Sequence, residues 1–432
     1  MFRRIEPLET RRLMAMTSNV DDGTTITLTF DGSTNNVMIY DYSSTQWAIG
    51  VNEGPYTPFQ LVGTYAPSSR NLIVIHGSSG ADSVSADSSG APALEVYGEA
   101  GNDNISSMGF NDTLHGGAGN DSITGGGGHD ILYGEGGNDT LSGGDGADTL
   151  VASAGNDTYS GGNNTDVFSA IALTGDLQIS TDGAVNDGVV GSAASYVSPD
   201  IEILYGGSGN DLITADNINT TIFGQAGNDT LIGGSGNDSL DGEGGADSLD
   251  GGSGSDTLNG GSGRDVLVFS TGADSYSGGA GTDTFDASAS SQALTISLDD
   301  VANDGVLGAG SGSVGSDLEI LSGGSGNDVI DGGGGKEALF GGGGNDTICG
   351  QGGNDSIWGG DGDDSIQGNA GRDLIHGGDG NDTIEGGAHR DSVYGEAGTD
   401  TLYLRDKHHA VDYLFASAGD VIGSRDLTDV IV

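Results

Sequence analysis

Basic residues are scarce: Lys and Arg number 12 in 432 residues against 64 Asp and Glu, a formal net charge of -52. A surface this acidic repels nucleic acid and anionic membranes and attracts cations, so nucleic-acid binding is excluded. Cys349 is the only cysteine, and no intramolecular disulfide can brace the fold. No run of about 18 apolar residues occurs, which excludes a transmembrane helix. Hydrophobic residues make up 34% of the chain, too little under such self-repulsion to offset backbone ordering by burial alone. Bound metal is the remaining source of folding energy.

Catalytic signatures are missing as well. Neither H-E-x-x-H nor G-x-S-x-G occurs. The seven histidines are scattered, His408 and His409 are adjacent, and none is paired at the helical spacing that zinc uses, so they read as solvated surface residues. Clustered carboxylates on a coil face can serve a carbohydrate-active enzyme. Here the acids fall at turn positions, and the chain reads as a non-enzyme.

What is abundant is glycine, 85 residues of it, in a nine-residue register. Gly116-Gly117-Ala118-Gly119-Asn120-Asp121-Ser122-Ile123-Thr124 is followed without a gap by Gly125 to Tyr133 and Gly134 to Ser142. The pattern G-G-x-G-x-D-x-U-x, with U apolar, fills 98–169 in eight units, 206–286 in nine and 323–403 in nine, with an isolated unit at 77–85. Position six is Asp in 25 of these 27 units, the exceptions being Thr220 and Glu337, and position eight is apolar throughout. A larger duplication overlies the small one. Asp148, Asp187, Glu202 and Asp211 recur 117 residues on as Asp265, Asp304, Glu319 and Asp328.

Glycines at positions one, two and four allow tight turns that expose carbonyl oxygens, and the aspartate adds charge. Calcium takes six to eight hard oxygen ligands, more than one short turn offers, so a site needs two stacked turns. The closing x-U-x forms a short strand whose middle side chain points inward, as for Ile123, Leu141, Leu258 and Ile366. Successive units alternate between two parallel sheets, so same-sheet neighbours lie 18 residues apart. Asp121 then pairs with Asp139 and Asp355 with Asp373. The same spacing predicts an outward ladder of Phe340, Trp358, His376 and Tyr394, read as cross-strand pairing or as a strip for sugars or partners.

These repeats closely resemble the hemolysin-type RTX calcium-binding repeat. The resemblance implies an all-β, right-handed parallel β-roll, or β-solenoid, with short β caps and two spacer segments. It places the calcium role on Asp103, Asp112, Asp121, Asp130, Asp139, Asp148, Asp157 and Asp166 in the first array. In the second it falls on Asp211, Asp229, Asp238, Asp247, Asp256, Asp265, Asp274 and Asp283. In the third it falls on Asp328, Asp346, Asp355, Asp364, Asp373, Asp382, Asp391 and Asp400. On the family's stacking geometry the three arrays hold about 20 Ca2+ at most.

The expected organisation is a leader at 1–16, a β cap with the entry repeat at 17–97, the arrays at 98–169, 206–286 and 323–403, spacers at 170–205 and 287–322, and a C-terminal cap or secretion signal at 404–432. Leu8-Glu9-Thr10-Arg11-Arg12-Leu13-Met14 resembles the L-E-P-R-x-L-L leader of large planctomycete-like surface proteins, with Thr10 in place of proline. Asp429-Val430-Ile431-Val432 resembles the terminus of RTX proteins exported by type I secretion, and a capping strand explains it equally well. The expectation is a secreted or cell-surface structural or adhesive protein that folds on calcium, with glycans or other surface proteins as partners. The alternative is a carbohydrate-active enzyme or glycan-binding module using the roll face.

Overall fold

The computed structural model describes residues 16–431 apart from 22–24, 31–35, 44–45, 53–59, 66–71, 87–91, 190–194, 217, 300, 307–311, 404–411, 418 and 424–429. The leader motif and His408 and His409 lie outside the described residues. Among those described, every regular element is a β-strand and no helix occurs. The chain divides into two compact units, one reaching Leu173 and including Gln178–Tyr205, the other made of Thr174–Leu177 and Gly206 onward.

In the first unit the nonapeptides lay down two parallel sheets. One carries Ala93–Glu99, Thr113–Ala118, Ile131–Gly136, Thr149–Val151 and Val167–Ser169 in that order. The other carries Asn104–Ser106, Ser122–Gly127, Thr140–Asp145 and Thr158–Asn163. The offset between partners is one coil of 18 residues: Leu114 faces Leu132 and Leu132 faces Leu150, while Ile123 faces Leu141 and Leu141 faces Tyr159. The second unit repeats the scheme, with Ile348, Ile366, Ile384 and Leu402 in one row and Leu339, Ile357, Ile375 and Val393 in another. The fold is a parallel β-solenoid, as the nine-residue period implies.

Each repeat strand alternates in accessibility, and its position-eight side chain is buried: Leu141, Leu231, Ile366 and Leu402 are 0% exposed. Burying one such side chain contributes roughly 2 kcal/mol. Antiparallel pairing occurs near the N-terminus, where Met16–Asp21 pairs Thr25–Phe30 and Asn36–Ser43 pairs Gln46–Asn52. Thr25–Phe30 and Leu72–Ser78 form strands where the sequence reads as β.

The spacers keep strand positions and carry their extra length as a hairpin. In the second unit Leu294–Ser297 pairs antiparallel with Gly305–Val306 and parallel with Val329–Asp331. Ile320–Ser322 continues the row after Thr284–Asp286. Asp304 holds the hairpin, its Oδ1 accepting from the Ser297 N–H at 2.7 Å and its Oδ2 from the Val314 N–H at 2.8 Å.

Candidate metal centre

The centre begins with how closely two coils approach. Gly119, at position four, has φ +144, and a Cβ there would collide with the carbonyl oxygen of Gly101 in the coil before. Backbone therefore lies on backbone, and the turn folds its aspartate inward. Asp121 is 3% exposed. Its Oδ1 accepts from the Asp103 N–H at 2.8 Å, and its own N–H donates to Asp139 Oδ1 at 2.8 Å. Asp355 donates to Asp373 in the same way at 2.9 Å. Both pairs stand as the 18-residue spacing predicts, and the ladder recurs at Asp238 with Asp256 and at Asp346 with Asp364.

One oxygen of each carboxylate is thus engaged. The other, Oδ2, is buried with no hydrogen-bond partner in Asp103, Asp112, Asp121, Asp130, Asp139, Asp148 and Asp166. The same holds for Asp229, Asp238, Asp247, Asp256, Asp265 and Asp283, and for Asp346, Asp355, Asp364, Asp373, Asp382 and Asp400. Apart from Asp112, whose unit opens on Ser107, each Oδ2 faces the first glycine of its own unit. A Cβ on Gly233 would lie 2.7 Å from Asp238 Oδ2 and 2.6 Å from the Gly251 carbonyl oxygen one coil on. On Gly368 the corresponding distances are 2.6 Å to Asp373 Oδ2 and 2.5 Å to the Gly386 carbonyl. Glycine keeps this oxygen-lined cradle open.

Burial without a donor penalises the charged carboxylate. It pushes Asp103, Asp130, Asp139, Asp229 and Asp346 up to about 7 and Asp112, Asp247, Asp364 and Asp382 up to about 6, although backbone N–H donors pull the other way. A cation removes that penalty. The donors are all oxygen, which suits a hard ion such as calcium. Among the described residues no three His, Cys, Asp or Glu side chains converge on one point, so an ion held here would draw on carbonyl oxygens of the turns as well.

Several positions depart from the common geometry. Asp211 and Asp328, which open the second and third arrays, turn Oδ2 to the N–H of Gly207 and Gly324 at 2.7 and 2.8 Å. Asp157 and Asp274 turn it to side-chain hydroxyls. Asp391 keeps the ladder, accepting from the Asp373 N–H, but its own N–H reaches Asp412 Oδ1 at 2.9 Å, 21 residues on instead of 18. Thr220 donates its N–H to Asp238 Oδ1 at 2.7 Å but brings no carboxylate. Glu337 keeps the aspartate's place, with Oε2 buried and unpartnered and its N–H bonded to Asp355 Oδ1 at 3.0 Å.

Sequence reasoning missed a second ladder at position five. The Asn120 N–H donates to Asn102 Oδ1 at 2.9 Å and the Asn138 N–H to Asn120 Oδ1 at 2.8 Å, opposite in direction to the aspartate ladder. The recurrence of asparagine just before the aspartate was the available signal. Glu202 and Glu319 also take part: each extends the ladder across its spacer by accepting from the N–H of Asp166 or Asp283 at 2.9 Å. Their common displacement of 117 residues had marked them.

A family model for the RTX calcium-binding nonapeptide repeat matches at 97–132, 107–141, 133–168, 196–217, 214–249, 233–267, 241–276, 250–285, 270–290, 314–348, 350–384 and 367–402. Together these stretches cover more than half of the chain. It belongs to this family. RTX nonapeptide repeats bind multiple Ca2+ ions. No curated protein matches the chain.

Proposed function

We propose that the position-six aspartates are the calcium ligands of this RTX protein and that the ion bridges successive coils. The observation that carries this is the buried, donor-less Oδ2 repeating every 18 residues beside an open glycine cradle. In each bridge Oδ2 supplies charge and the glycine carbonyls supply neutral oxygen, while Oδ1 holds the adjacent coil. The arrays at 98–169, 206–286 and 323–403 are the metal-binding bodies of this reading. Segments 170–205 and 287–322 serve as spacers, 17–97 and 404–432 as caps, and 1–16 as a leader.

On the same reading the protein works outside the cell, where calcium is millimolar, as a structural or adhesive surface component. The acidic surface supports this, since calcium both neutralises it and folds it. The half-buried aromatic rows favour a structural role over sugar binding. Phe340, Trp358, His376, Tyr394 and Phe415 stack with centroids 4.2 to 5.9 Å apart and planes within 6° of parallel. Stacked inner rings turn their rims outward, whereas a sugar packs on an open face.

Calcium titration of the full chain with stoichiometry tests the ligand assignment. The Asp364→Asn variant should bind about one ion fewer than the parent chain. Unchanged stoichiometry would overturn the assignment.

A further inference from the structure

The aspartates at 157 and 274, 117 residues apart, stand in a different environment from the rest. Position one of their units is Ala152 or Phe269 instead of glycine, so a side chain fills the cradle. Position two is Ser153 or Ser270, and position eight is Tyr159 or Tyr276. The Tyr159 hydroxyl donates to Asp157 Oδ2 at 2.9 Å and the Ser153 hydroxyl donates to the same oxygen at 3.1 Å. In the other copy Ser270 and Tyr276 reach Asp274 Oδ2 at 2.9 and 3.1 Å.

Each tyrosine also accepts, taking the N–H of Ser153 or Ser270 at 3.1 Å. Tyr159 is 1% and Tyr276 4% exposed, and each packs edge-on against the phenylalanine that closes the next unit, Phe168 or Phe285, at 5.0 and 4.9 Å. The oxygen left open along most of the ladder is closed here by two hydroxyl donors.

A second observation is independent of the first. Elsewhere in the arrays the aspartate N–H meets a carboxylate of the following coil, as at Asp121, Asp238 and Asp346. Here the Asp157 N–H meets Ser195 Oγ at 3.0 Å, and Gly312, the residue matching Ser195 in the duplicate, comes against the Asp274 backbone. Neither residue carries charge. The geometry points to metal-free latches: at Asp157 and Asp274 a serine and a tyrosine hydroxyl take the place of calcium and stop the metal ladder where the spacer enters. This rests on reading the remaining aspartates as ligands.

The test compares Asp274→Asn with Asp364→Asn in the full chain by calorimetric calcium titration. Asparagine keeps one carbonyl oxygen for the two hydroxyls and gives up only the acceptor for the Asp256 N–H, so the latch proposal expects the stoichiometry of Asp274→Asn to equal that of the parent chain. Loss of an ion in Asp274→Asn overturns it. Asp364→Asn reports on the ligand reading alone, so the two ideas fail separately. A second variant, Ser270→Ala with Tyr276→Phe, strips the donors and leaves the buried carboxylate bare. A latch predicts a lower thermal midpoint in saturating calcium that further calcium does not restore. An unchanged midpoint would show that the hydroxyls do not hold the carboxylate and would overturn the proposal.

Discussion

At the residue scale the aspartate and the glycine of each unit are complementary, one supplying an oxygen and the other leaving space beside it. A Cβ at Gly368 falls between Asp373 Oδ2 and the Gly386 carbonyl. Gly368→Ala should therefore lower calcium affinity at that turn more than it lowers strand content, as read by titration and circular dichroism on one sample. Equal losses would show that the cradle serves packing alone. The core residue of a unit behaves differently. Ile366 is 0% exposed, and Ile366→Ala should destabilise the calcium-loaded chain by about 2–5 kcal/mol in denaturant unfolding. The apolar eighth position was plain from sequence. The hydroxyls of Tyr159 and Tyr276 were not, because their role needs a serine six residues earlier to face them across a folded turn.

At the scale of elements, strand spacing dictates side-chain stacking. Parallel strands sit about 4.8 Å apart, close to the ring separations in the row of Phe340, Trp358, His376 and Tyr394. That row was expected from the 18-residue spacing, and the structure adds Phe415 to its end. A second row, His76, Tyr97, His115 and Tyr133, stacks at 4.4 to 4.8 Å in the first unit. His76, His115 and His376 are thus half-buried in stacks, with Glu99, Glu135 and Glu396 beside them, and are not the solvated surface residues their scatter suggested. Sequence scatter hides them because each stacking partner is a full coil away. Trp358→Ala should cost about 1–2 kcal/mol of stability through two lost stacking contacts, leaving calcium stoichiometry unchanged. A lost ion would place the ring in the metal centre.

At the scale of the whole molecule, the aspartates proposed as calcium ligands are also the groups that hold protons in the metal-free fold. Asp103, Asp130, Asp139, Asp229 and Asp346 rise from an ordinary 3.8 to about 7 in the metal-free fold. Between those values the fold holds more protons than the unfolded chain, so its stability is greatest in acid and falls as pH rises towards 7. Lowering the net charge of -52 acts in the same direction. Metal-free protein should accordingly gain strand signal in circular dichroism on going from about pH 7.5 to about pH 4.5, and the calcium needed to fill half of the sites should rise as pH falls. Strand content independent of pH without metal would contradict this. At neutral pH, removal of calcium should unfold most of the arrays, and equal strand content with and without chelator would exclude calcium as the folding agent.

The sequence by itself determined the period, the two parallel rows, the inward apolar residue and the aspartate at each turn, since each follows from residues repeated at fixed spacing. Only the tertiary structure decided which oxygen of each carboxylate is engaged and which is left over. It also decided that the spacers keep strand positions, and that Asp157 and Asp274 face hydroxyls while Asp121 and Asp364 do not. The reason is physical: a periodic pattern states which residues share a row, whereas hydrogen bonding depends on atoms brought together across coils. In a solenoid those atoms lie 18 residues or more apart, and at the spacers the distance is neither constant nor written in the repeat.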